Sequence, residues 1–186
     1  MLVPPLFLCY NADIKLMEAL YMMKMDHTNI RLAVRALDRE AALEVVDKSI
    51  WGAVSMCTPD GTPYNVAVNL VRDGEKLYFH AAKAGLKVEF LRQNPKVCVL
   101  FVPKAVLAPA EYTTHYASAV VRGKAVEVTD LDEKAHALRL ICKRFAPEFP
   151  EEVERRLAAG SAHTTGIWRI DIESVSGKAS PPGVID

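Results

Sequence analysis

The stretch YNVAVNLVRDGEKLYFHAAKAGLK, Tyr64 to Lys87, decides the fold. Tyr64 to Val71 alternates apolar and polar residues, as a half-buried strand does. Asp73-Gly74 is the strongest short hairpin signal a sequence offers. With those two residues as the loop, Leu70 faces Leu77, Val68 faces Phe79 and Val66 faces Ala81, an apolar side that belongs to a core. The opposite side pairs Asn69 with Tyr78 and Ala67 with His80, with Asn65 diagonally adjacent, and forms a polar, aromatic-lined surface. The second strand runs through small residues into a helix predicted over Ala84 to Asn94. Leu86, Phe90 and Leu91 face inward there, and Lys83 and Lys87 stand one turn apart near its start.

Upstream, WGAVSM (Trp51 to Met56) is strand-like and Pro59-Asp60-Gly61-Thr62 is a turn. Asp38 to Lys48 predicts a short helix with an Asp at its start and Ala42, Leu43 and Val46 on its apolar face. Downstream, PKVCVLFV (Pro95 to Val102) is apolar at consecutive positions, as in a strand covered on both sides. HYASAVVRGKAVEV (His115 to Val128) predicts a long strand bent or bulged at Gly123. Asp130 with Glu133 resembles a capping box, and Leu131, Ala135, Leu138, Ile141 or Cys142, and Phe145 follow at helical spacing until Pro147 and Pro150. Glu151 to Ala159 predicts another helix, and GIWRIDIESV (Gly166 to Val175) a closing strand. The expectation is an α+β domain, a small antiparallel barrel of about six strands with peripheral helices. No Gly-rich strand-to-helix turn is present, which argues against a dinucleotide-binding parallel sheet.

A chain of 186 residues with 51% hydrophobic and 25% charged residues predicts one globular domain with a real core. Lys plus Arg and Asp plus Glu both total 23, so no overall field draws the protein to nucleic acid or anionic lipid, and any anion site must be local. Cys9, Cys57, Cys98 and Cys142 are scattered without a C-x-x-C pair, so no zinc or other metal site is read. Three lie in apolar runs, which predicts buried thiols in a reducing cytoplasm. The opening MLVPPLFLC lacks a basic start and is too short to span a membrane, so neither a signal peptide nor an anchor is expected. Met22, Met23 and Met25 offer alternative starts, and residues 1–29 read as a dispensable extension before a domain over residues 30–186.

The chemistry concentrates in YFHAAKAGLKVEFLRQNPKV, Tyr78 to Val97. Unpaired amides and the positive dipole end at a helix start favour a phosphate, lysines add point charge, and small Ala81, Ala82 and Gly85 allow close approach. A plain strand-to-helix connection with solvated lysines accounts for these residues equally well.

The order of four segments goes further: ALDREAALEVVDKSIWGAVSM, DGTPYNVAVNLVRDGEKLYFHAAKAGLKVEFLRQNPKVCVLF, HYASAVVRGKAVEVTDLDEKAHALRLICKRFAP and GIWRIDIESVSGK. Together they resemble the pyridoxamine 5′-phosphate oxidase-related flavoproteins, nearest the nitroimidazole-resistance (Nim-like) branch. That resemblance implies a split β-barrel, homodimeric around two FMN sites built from both chains. It lays the backbone of Tyr64, Asn65, Val66, Ala67 and Val68 against the flavin ring. It also cradles the phosphate with His80, Ala81, Ala82 and Lys87, Lys83 being a weaker candidate. From the partner chain it brings Tyr116, Ser118 and the pair Trp168-Arg169 to the flavin edge. The implied activity is reduction of a small aromatic or nitroaromatic substrate, with electrons from a nicotinamide cofactor or another reductase. True pyridoxamine 5′-phosphate oxidase activity fits less well, because WRIDIESVSGK departs from the Arg-and-His C-terminal pattern of those oxidases. A flavin- or haem-binding module without a substrate is the third reading.

Other residues have plainer readings. His115 is either a lining residue of the substrate mouth or a solvated loop residue, and His27, His136 and His163 have no partner set in the sequence. Tyr112 and Tyr116 read as core or interface before they read as stacking groups. Glu151-Glu152 with Arg155-Arg156 reads as a solvated helix face with ion pairs.

Overall fold

The computed structural model describes residues 30–181, so the extension expected over 1–29 and the alternative starts lie outside the described residues. Within that span run β1 (Ala36–Leu37), α1 (Arg39–Lys48), β2 (Gly52–Cys57), β3 (Pro63–Val68), β4 (Val71–Asp73), β5 (Lys76–Ala81) and α2 (Leu86–Gln93). They are followed by β6 (Lys96–Ala108), β7 (Thr113–Val128), α3 (Leu131–Phe145), α4 (Pro150–Ala158), α5 (Ser161–Thr164) and β8 (Gly166–Ser180). Local chemistry starts two of the helices. The Asp38 side chain accepts from the Ala41 amide at 2.8 Å, and Asp130 accepts from the Glu133 amide at 2.8 Å.

All strand pairs are antiparallel, in the order β3-β2-β6-β7-β8-β5-β4 with β1 added on β8. The path's two ends, β3 and β4, are separated in sequence only by Asn69 and Leu70. Three Cα steps reach at most about 11 Å. Seven strands laid flat would hold the two edges about 29 Å apart at the usual spacing of about 4.8 Å. The sheet therefore has to curl into a barrel, closed along one seam by the chain itself rather than by a ladder. Six strands of six or more residues make the barrel, as expected, and the two- and three-residue β1 and β4 bring the sheet to eight.

The inward face is one core, built from Val54, Leu77, Phe79, Val99, Phe101, Val121, Trp168 and Ile170, with Ala42, Val45 and Val46 of α1 closing one end. A second cluster under α3 joins Tyr78, Val128, Ala137, Ile141 and Ile167. The bulge expected at Gly123 is present, as a register shift between Arg122 and Gly123 against β8. Its cause is close approach: a Cβ on Gly123 would lie 2.1 Å from the Asp171 carbonyl oxygen.

Several expectations are corrected. Tyr64 to Val71 is not one strand: it breaks at Asn69, whose side-chain amide donates to the Ile50 carbonyl at 2.8 Å, so that β3 pairs with β2 and only β4 pairs with β5. The pairs Val68–Phe79, Val66–Ala81, Asn69–Tyr78 and Ala67–His80 do not form, because β5 takes β8 as its other neighbour. The loop is Gly74-Glu75, since Asp73 pairs with Lys76, and a positive φ at Gly74 alone is the pattern of a type II′ turn. The next helix begins at Leu86 rather than Ala84, so Val88, Phe90 and Leu91 are buried and Leu86 is exposed. Lys96–Ala108 is buried on one face only, because Leu100 lies on an open outer face. Cys57, Cys98 and Cys142 are free thiols but half-buried rather than buried.

Candidate functional site

The candidate site lies where β3, the last part of β5 and the first turn of α2 meet. Because β3 ends the sheet order, one row of its backbone groups has no ladder partner. Asn65 and Ala67 are exposed, and Tyr64, Val66 and Val68 are half-buried beneath them. The Tyr64 ring packs on Phe90 of α2, with centroids 5.1 Å apart, and this contact fixes the sheet edge against the helix.

Gly85 precedes α2 with φ 121, a conformation L side chains rarely adopt, and the space where its Cβ would stand is open. No side chain caps the helix, so its leading amides keep their capacity to donate. Lys87, in the first turn, is half-buried with its ammonium 5.4 Å from the Phe79 ring centroid. Among the described residues no carboxylate pairs with it, and burial pushes its pKa below the ordinary lysine value. A positive charge held partly out of water beside free amides is a donor set suited to a phosphate dianion. On that chemistry the residues present fit a phosphate-bearing cofactor.

The remaining expected site residues are placed as follows. His80 is exposed on β5 opposite Ile167, Ala81 is buried and Ala82 exposed. Lys83 is exposed and donates to the His163 carbonyl at 2.7 Å, which holds it toward α5. Tyr116 and Ser118 lie on β7, with β2 and β6 between them and β3. The Lys178 ammonium stands 5.4 Å from the Tyr116 ring centroid, and Ser118 is buried. Trp168 is 2% exposed within the barrel core. Arg169 is engaged inside the protomer, donating to Asp171 at 2.7 Å and to Glu133 at 2.8 Å. The buried Tyr78 hydroxyl donates to the same Glu133 oxygen at 2.9 Å, so Arg169 serves the joint between β5, β8 and α3 while Trp168 fills the core.

Two histidines find partners that their sequence neighbourhood does not announce. His115 bonds Glu111 at 2.9 Å, and His136 bonds Asp73 at 2.9 Å, correcting the expectation that His136 stands alone. Tyr112 is 98% exposed and so is not core. Glu152 pairs with both Arg155 and Arg156, as the helix-face reading expects. One group that the sequence reading passed over is Arg122, a charge in the apolar strand AVVRGKAV whose position opposite Cys98 was the available cue.

A model of the pyridoxamine 5′-phosphate oxidase family matches residues 38–179. The chain belongs to that family. The matched span begins at the Asp38 cap and ends within β8, so all of this pyridoxamine 5′-phosphate oxidase family barrel but β1 and the last residue of β8 lies inside it. A search of curated proteins gives no significant match. Solved structures share the family member's fold. A candidate 5-nitroimidazole antibiotic resistance protein from Bacteroides thetaiotaomicron is 22% identical with a TM-score of 0.63, covering 77% of this chain and 86% of that one. The flavocytochrome Anf3 from Azotobacter vinelandii is 24% identical with a TM-score of 0.68, covering 83% and 73%. An FAD-binding protein from Mesorhizobium loti is 24% identical with a TM-score of 0.58, covering 80% and 99%. Among the described residues of this family member, no helix is long and apolar enough to cross a membrane.

Proposed function

We propose that this chain is a cytoplasmic homodimeric flavoprotein that binds FMN and reduces a small aromatic or nitroaromatic substrate. The observation that carries the reading is Lys87, a half-buried cation with no carboxylate partner among the described residues, at the uncapped start of α2. A terminal phosphate carries two charges and several acceptor oxygens, which suits this donor set better than the internal phosphates of FAD. Neighbours of the same fold that are named for flavins, together with the nitroimidazole-resistance neighbour, support the reading.

On this reading Lys87 and the first amides of α2 hold the phosphate, Gly85 leaves room for it, and His80 and Ala81 border it. The free edge of β3 meets the ring's polar rim, with Tyr64 braced by Phe90. FMN supplies the hydride chemistry when bound, so the protein's work is to position it and exclude water. On this reading a second protomer brings Tyr116 and Ser118 to the site, and their place on β7, with β2 and β6 between them and β3, supports it. Electrons come from a nicotinamide cofactor or another reductase. The three free thiols suit a reducing compartment.

The purified protein is expected to be yellow or to take up FMN, with riboflavin, which lacks the phosphate, bound about tenfold more weakly. A colourless protein that takes up no FMN overturns the reading, and equal affinity for FMN and riboflavin moves the phosphate elsewhere. Bound flavin reduced by NADH or NADPH should discharge to a nitroaromatic acceptor. Robust pyridoxal phosphate formation would assign the oxidase activity instead, and reduction without discharge would leave a binding module.

A further inference from the structure

The β6–β7 ribbon outruns the barrel. The ladder of β2 on β6 stops at Phe101, and the ladder of β8 on β7 reaches no further than Tyr116. Beyond those points Ala105 pairs with Tyr116, Val106 with His115, Leu107 with Thr114 and Ala108 with Thr113. Among the described residues, Lys104 to Ala108 and Thr113 to His115 have no other strand beside them. A two-stranded ribbon alone is marginally stable in water, and exposed edges are ordinarily guarded by charge. This one ends in an apolar tip instead. Leu107 is 77% exposed and Tyr112 98%, and residues 102–114 hold only two charges, Lys104 and Glu111, the latter bonded to His115 at 2.9 Å. Tyr112 also sits at φ 51, where a glycine would meet less strain. An aromatic ring kept at such a position and held outside its own protomer has its contact elsewhere.

The face decides where. Ala117, Ala119 and Val121 belong to the core, so Thr114, Tyr116 and Ser118 stand on the opposite side of β7. Pairing sets Ala105 beside Tyr116 and Leu107 beside Thr114, on that same side, while Lys104 pairs with Ala117 and lies on the other. Leu107 and Tyr112 thus prolong the row of Ser118 and Tyr116 by roughly 7 and 13 Å, at about 3.3 Å per residue.

We propose that the ribbon tip of one protomer walls the partner's flavin site, with Leu107 and Tyr112 packing against the aromatic substrate held there. This rests on the homodimeric flavin reading, which brings Tyr116 and Ser118 to the partner's cofactor; a tip continuous with them reaches the same site. That continuity favours a second copy over an unrelated partner. The chemistry suits the substrate class, because an aromatic ring gains both buried area and an oriented ring contact from a tyrosine and a leucine. Leu107 and Tyr112 are then specificity-determining residues acting across the dimer.

The test is a mixed dimer. Tyr112→Gly suits the left-handed backbone and Leu107→Thr suits an exposed strand, so the double variant should fold, stay dimeric on gel filtration and bind FMN within about twofold of the wild type. The probe is 4-nitrobenzyl alcohol, its binding read without turnover from the absorption of the bound oxidised flavin. The double variant should bind it about tenfold more weakly. Mixed dimers of the double variant with Lys87→Met are then purified at an FMN concentration that loads only sites with Lys87. Each loaded site takes its tip from the Lys87→Met protomer, so probe affinity should return to the wild-type value. Unchanged probe affinity in the double variant, no recovery in the mixed dimer, or a wild-type protein that binds FMN but not the probe each overturns the proposal while the flavin reading stands. A monomeric double variant overturns it as well, because the tip then serves assembly alone. A wild-type protein that is monomeric or takes up no FMN overturns both.

Discussion

Replacing Lys87 by Met separates the phosphate from the rest of the flavin. The side chain keeps most of its length and its apolar stem against Phe79, and loses the ammonium. A charge-assisted contact is worth about 1.5–3 kcal/mol, so FMN affinity should fall by about ten- to a hundredfold. Riboflavin affinity should change by less than about twofold, because the ring and ribityl contacts are untouched. The pH dependence gives a second readout. Burial holds the Lys87 pKa in the folded protein below the 10.5 it has when unfolded. Between those values the unfolded chain binds more protons, so the cofactor-free protein gains stability as pH rises through this window. Lys87→Met should abolish that gain. FMN affinity of the wild-type protein should weaken over the same window, as the ammonium loses its proton. Flavin fluorescence titration and thermal melts at stepped pH measure both. A Lys87→Met variant that binds FMN within about twofold of wild type, or loses riboflavin equally, refutes the reasoning.

Two further outcomes probe the scaffold. Gly123→Ala places a methyl 2.1 Å from the Asp171 carbonyl oxygen, so β7 and β8 must shift apart at a cost of about 1–3 kcal/mol. The midpoint of thermal unfolding should drop by roughly 3–9 °C, and a change under about 1 °C would contradict the close approach. The Glu133 carboxyl is held below its ordinary 4.5, first by Arg169 and, against the opposing effect of burial, by the Tyr78 hydroxyl. Its stabilising contribution is therefore complete above 4.5 and is lost as pH falls through the folded value. Glu133→Gln should lose about 1–2 kcal/mol at neutral pH and flatten the acid limb of a stability-against-pH curve. An unchanged acid limb would detach Glu133 from acid unfolding.

What the sequence made legible is what local chemistry controls. Asp38 and Asp130 cap helices by reaching amides three residues on, and Gly123 marks its bulge by lacking a side chain, so all three are visible in a short window. The hairpin loop sits one residue beyond its sequence signal, because Asp73-Gly74 looks like the loop, whereas Asp73 completes a ladder pair and Gly74 begins the turn. Partner choice was the larger miss. Nothing between Tyr64 and Lys87 says that β5 lies beside residues some ninety positions later, or that Asn69 turns the chain from one end of the sheet to the other. The phosphate junction was legible as a pattern of small residues and lysines. Its decisive details, the open space at Gly85 and the burial of Lys87, belong to three-dimensional packing.

The last long strand is also the most connected one: β8 pairs with β7 along one edge and with β5 and β1 along the other. Three strands made earlier thus await a partner that leaves the ribosome after them. The β2–β3 and β6–β7 hairpins assemble from near neighbours, while the contacts of β5 with β8 close a loop of nearly a hundred residues, the slow kind of closure. Synthesis therefore delivers the barrel's two halves first and its keystone at the end, and the emerging chain carries unpaired strand edges until that strand arrives.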